Sequence, residues 1–93
     1  MSRVFKLREW AAENDARIVF RLKYSFDMAV GKLIQALDKE GNIVEWSRAF
    51  GTKRPDQVVE SVPVESIVVQ YKGTGEEVVL KSLEELEEYC GLR

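Results

Sequence analysis

Apolar and polar positions along the chain change period several times, and each change marks an element. From Val4 to Asn14 the apolar residues Leu7, Trp10 and Ala11 recur at helical spacing, and Asn14-Asp15 is a natural stop. The stretch "ARIVFRLKY" then alternates: Ile18, Phe20, Leu22 and Tyr24 take one side, Arg17, Val19, Arg21 and Lys23 the other. That is a strand with the first set lining the interior and the cations projecting outward. Between Ser25 and Lys39 the apolar residues Phe26, Val30, Leu33, Ile34 and Leu37 fit a helix. Ser25 or Asp27 would cap it, Lys39 would suit the C-terminal dipole, and Gly41 would follow as C′.

"NIVEWSRAF" (42–50) reads as a second strand, with Val44, Trp46 and Phe50 on one side, and "GTKRPDQ" (51–57) as a loop. Three further strands are expected at Val58–Val62, Ser66–Tyr71 and Glu77–Leu80, with Pro63 marking an edge, a bulge or a boundary. "KGTGEE" is a hairpin loop that would set Lys72 across from Glu76 or Glu77. "SLEELEEYC" closes the chain as a helix, Ser82 and Glu85 forming a capping-box pattern and Leu83, Leu86 and Cys90 the inward stripe. These elements define an α+β fold in the order α-β-α-β-β-β-β-α. A mixed or mainly antiparallel sheet of four to five strands would carry two longer helices on one face and a short N-terminal helix.

Length and composition narrow this picture. Ninety-three residues suit a single α+β domain, 1–93, and 45% hydrophobic with 32% charged residues suits a folded chain. No run approaches the ~18 apolar residues of a membrane span, and the start of the sequence has no apolar signal core, so a cytoplasmic setting is expected. One cysteine, Cys90, cannot form an intramolecular disulfide, and the chain has no histidine. Histidine-based triads, Cys-His nucleophiles and histidine-containing zinc sites are therefore excluded, and no cofactor or metal is expected.

Net charge is −2, but the chain is divided. Residues 1–54 hold eleven Lys/Arg against seven Asp/Glu, and residues 55–93 hold three against nine. The two halves then carry +4 and −6, which can reflect mutual attraction or an anionic partner for the first half. The residues that could bind a polyanion are Arg17, Arg21 and Lys23 on the outward strand face, joined by Lys53 and Arg54 of the 51–57 loop. Trp46, Phe50 and Tyr24 could stack bases beside them. Cations on the wet face of a sheet are common without any ligand, and the aromatic spacing suits a core. The acidic run Glu84, Glu85, Glu87 and Glu88, with Glu76 and Glu77, has no calcium-loop pattern. Neither glycine loop has P-loop or dinucleotide spacing.

The function that best fits is a small non-catalytic interaction module, self-associating as a homodimer or binding another protein. The alternatives are binding of single-stranded nucleic acid through the basic face, and a small-molecule or acid/base site on a carboxylate-lined pocket. No membrane partner is expected.

Overall fold

A computed structural model describes residues 2–93. Its elements are α1 (Arg3–Glu13), β1 (Ala16–Leu22), β2 (Phe26–Val30), β3 (Ile34–Asp38), β4 (Ile43–Val44), α2 (Trp46–Phe50), α3 (Pro55–Ser61), β5 (Val64–Tyr71), β6 (Glu77–Leu80) and α4 (Leu83–Tyr89). The fold is α+β: one antiparallel sheet in the order β4-β3-β2-β1-β5-β6, with helices on one face. The sheet has six strands rather than four or five, and the order of elements is α-β-β-β-β-α-α-β-β-α.

The first strand alternates as its sequence demands. Ile18, Phe20 and Leu22 are fully buried beneath the helices. β1 lies at the centre of the sheet, paired with β2 from Ile18↔Val30 and with β5 from Ala16↔Tyr71 to Leu22↔Val64. A bulge between Arg21 and Leu22 ends this regular ladder, and Tyr24 sits in the following turn, half-exposed.

Three expected elements are different. The helix over 25–39 is instead the β2–β3 hairpin. Its stripe of Phe26, Val30 and Ile34 fits a helix, but Phe26, Met28 and Val30 also alternate with Asp27 and Ala29, and Gly31 opens the turn between the strands. In a helix interior Gly31 would cost about 1 kcal/mol relative to alanine. Leu33, assigned to the helical stripe, lies in the turn and is exposed. The long N-terminal helix, not this segment, is the longest in the molecule at 11 residues.

The strand over 42–50 shrinks to Ile43–Val44, because Trp46, Ala49 and Phe50 share one face at i, i+3 and i+4 and fold as α2. Gly51, with φ of 63°, ends that helix by donating its N–H to the Ser47 carbonyl. Val58–Val62 belongs almost wholly to α3, not to a strand. Pro55 at its first turn needs no backbone donor there, Asp56 suits the positive end of the dipole, and Val58 and Val59 turn inward. Residues 51–54 alone keep the loop assignment.

The chain's last third agrees with its pattern. Pro63 stands at the start of β5, β5 and β6 form the hairpin, and Ser82 caps α4 by accepting the Glu85 N–H at 3.1 Å. In the hairpin, however, Gln70 faces Glu77, and Lys72 forms no ion pair with Glu76 or Glu77.

The core fills the space between sheet and helices. Val4, Leu7 and Ala11 of α1, Ala49 and Phe50 of α2, Val58 and Val59 of α3, and Leu83 and Leu86 of α4 all meet the inner sheet residues. Side-chain bonds tie the helices together. Asp56 accepts from the Ser2 hydroxyl at 2.7 Å and from the Val4 N–H at 3.0 Å, so α3 helps to cap α1. Arg3 grips the Glu87 carboxylate with two donors, at 3.0 and 2.8 Å, joining α1 to α4.

Candidate interaction surface

With every helix on one side, the other face of the sheet is uncovered. The registers place an apolar stripe across it. Ile43 of β4 stands opposite Leu37 of β3; Leu37 steps diagonally to Ala29 of β2; Ala29, Val19, Val68 and Val79 then follow strand to strand. The middle of the stripe is buried in its own cluster of Val19, Ala29 and Leu37. Its ends are open, Ile43 being 64% and Val79 63% exposed, on the two edge strands.

Polar residues flank the stripe on both sides. On one flank Asp27, only 3% exposed, accepts from Lys39 Nζ at 2.6 Å and from the Leu22 N–H at 3.0 Å, and forms an ion pair with Arg21, whose Nε lies 3.0 Å away. Lys39 Nζ also donates to the Leu22 carbonyl at 2.6 Å. This cluster fixes the bulge at Arg21/Leu22 and joins β1, β2 and the end of β3. On the other flank, Arg17 lies opposite Gln70, and Gln70 donates to Glu77 at 3.1 Å. Arg17 separates two clefts. One, of about 190 Å³, is lined by Arg17, Arg21 and Lys39 together with the acids Asp27 and Glu40. The other, of about 240 Å³, is lined by Arg17, Lys32 and Lys72 with Gln35 and contains no acid.

The five cations read from the sequence are divided. Arg17 and Arg21 lie on the open face, Arg21 ion-paired and Arg17 without a partner carboxylate within 4.0 Å. Lys23 is exposed in the β1–β2 turn, where its N–H donates to the Pro63 carbonyl. Lys53 and Arg54 belong to the α2–α3 connection in the helix layer, and the Lys53 carbonyl accepts from the Trp46 indole. The aromatics also lie on the helix side: Phe50 stacks on Tyr24 and packs on Trp46, and the Tyr24 hydroxyl donates to the Ala49 carbonyl. Asp27, Lys39, Lys32 and Lys72 were not among the candidates. Their meeting depends on the hairpin, and only a period-two reading of residues 26–30 would have set Asp27 beside Arg21.

The remaining chemistry is modest. Burial raises the Cys90 thiol to about 11, which keeps it protonated and unreactive near neutrality. Burial and the Tyr89 hydroxyl, 2.6 Å away, raise Tyr71 to about 12. These two tyrosines border a depression of about 330 Å³ where Asp15 and Glu76 are the only carboxylates. Among the described residues no group of three or more potential ligands could hold a metal ion, and no helix is long and apolar enough to cross a membrane. No family model, no curated protein and no solved structure matches this chain.

Proposed function

We propose that this chain is a non-catalytic interaction module that self-associates through the open face of its sheet. The observation that carries this reading is the apolar stripe crossing all six strands and emerging at Ile43 and Val79. An apolar stripe is complementary to itself, so a twofold axis can lay one copy's stripe along the other's. Two sheets packed in this way lie about 10 Å apart with their strands roughly aligned. The ion-paired flank at Arg21, Asp27 and Lys39 would form a polar rim that orients the contact more than it strengthens it.

Polyanion binding by Arg17, Arg21, Lys23, Lys53 and Arg54 has less support, because Lys53 and Arg54 lie in the helix layer while Arg17 and Arg21 occupy the opposite sheet face. Among the described residues the open face also offers no aromatic ring on which a base could stack.

Sedimentation equilibrium over a range of protein concentrations tests self-association. The expected result is a reversible dimer that I43K and V79K each shift to monomer. Both side chains are exposed, so the substitutions should change unfolding free energy by no more than about 0.5 kcal/mol. A wild-type chain that stays monomeric at the highest concentration reached would refute the reading.

A further inference from the structure

We propose that the cleft between Arg17, Lys32 and Lys72 binds a small multivalent oxyanion of the phosphate class. This does not rest on self-association. Three cations from three parts of the chain converge here: Arg17 from β1, Lys32 from the β2–β3 turn, and Lys72 from the β5–β6 turn. Neither of the other two, like Arg17, has a carboxylate within 4.0 Å. The cleft on the other side of Arg17 is largely neutralised from within, since two acids, Asp27 and Glu40, stand among its three cations. This one lacks the counter-charge, and an anion from solution would supply it.

Arg17 gives the second indication. Its Nε is buried and hydrogen-bonded to nothing. A charged donor left in that state costs free energy, and a rotation of the guanidinium toward a ligand would recover it. Nε and a neighbouring Nη form the side-on pair that matches two oxygens of a phosphate or carboxylate group. The Arg17 stem runs past Gly31, where an added Cβ would stand 3.9 Å from its Cγ. Lys32 and Lys72 would act as mobile point charges around that fork, and the Gln35 amide lines the same wall.

Size and charge select the ligand class. A cleft of about 240 Å³ has the room of roughly eight water molecules at about 30 Å³ each, enough for one phosphate group and part of its hydration shell. A phosphate monoester carries about −1.5 to −2 near neutrality, which fits three cations better than a monovalent carboxylate does.

The test is an NMR titration of ¹⁵N-labelled protein with inorganic phosphate, and separately with acetate, at constant ionic strength. Phosphate should give saturable shifts grouped at Gly31, Lys32, Leu33 and Lys72, while acetate binds more weakly. K32M and K72M should each weaken phosphate about tenfold, the scale of one charge-assisted contact. K53M, in the helix layer, should leave binding unchanged. R17K keeps the charge but removes the fork, and should lose most of the preference for phosphate over acetate. Melting curves confirm that each variant is folded. Unsaturable or scattered shifts, binding retained in both K32M and K72M, or equal weakening by K53M would overturn the proposal.

Discussion

Asp27 is the residue on which the open face turns. A carboxylate 3% exposed, in the middle of a sheet, needs its charge answered, and two cations and a backbone N–H answer it. Its three partners do not depend on it equally. Arg21 and Lys39 are each close to half exposed, so water can take them back if Asp27 is lost, but the Leu22 N–H would lose its acceptor at the bulge. D27A should therefore destabilise the fold by about 2 kcal/mol, below the 3–5 kcal/mol of a fully buried pair broken on one side. R21A should cost less, about 1 kcal/mol or under, because Lys39 and the Leu22 N–H still hold the carboxylate. Urea unfolding of the two variants checks the ranking, and equal losses would mean that the cluster is held mainly by its exposed arm.

At the level of elements, one of the ties within the helix layer is a clamp whose strength follows pH. Arg3 of α1 donates two hydrogen bonds to Glu87 of α4, and these bonds hold the Glu87 carboxyl below its ordinary value of 4.5. The folded state thus binds that proton more weakly than the unfolded chain. The clamp's stabilisation is complete above about pH 4.5 and is lost as pH falls through the lower folded value. E87Q should lower stability by about 1 kcal/mol at pH 7 and leave a shallower acid limb, measured as melting temperature against pH. Neither this clamp nor the Asp27 cluster could be read from the sequence, since each joins residues whose elements first had to be placed. Arg17 and Arg21 were legible, because strict alternation in β1 admits one orientation once the interior is assigned. The β5–β6 hairpin and α4 were legible as well, through Gly73 and Gly75 and through Ser82, which are local signals. Residues 26–37 were ambiguous because Phe26, Val30 and Ile34 satisfy periods of 3.6 and 2 alike; tertiary pairing with β1 decides between them. In 46–61 the segments were short, and Pro55-Asp56 looked like a loop when it was the first turn of α3.

For the whole molecule, the arrangement that leaves one sheet face bare also sets how strongly two copies can hold each other. The centre of the stripe is already buried within each copy, so new burial would come chiefly from Ile43 and Val79. Four such side chains, two from each copy, at roughly 100 Å² apiece give about 10 kcal/mol of gross stabilisation at about 25 cal/mol per Å². Association costs of about 4–15 kcal/mol offset much or all of that, which places the dimer in the weak range and calls for measurement at high concentration. Salt separates apolar association from attraction between the +4 and −6 portions of the chain. Raising NaCl from about 0.05 to 0.5 M shortens the Debye length from roughly 14 to 4 Å. A contact held by those opposite charges should then weaken tenfold or more, whereas one held by Ile43 and Val79 should keep its dissociation constant within about threefold. Sulfate salts, which favour apolar burial, should tighten it. Sedimentation across the salt series therefore identifies the face in use: a steep loss of dimer with NaCl would assign association to the charged flanks and not to the stripe.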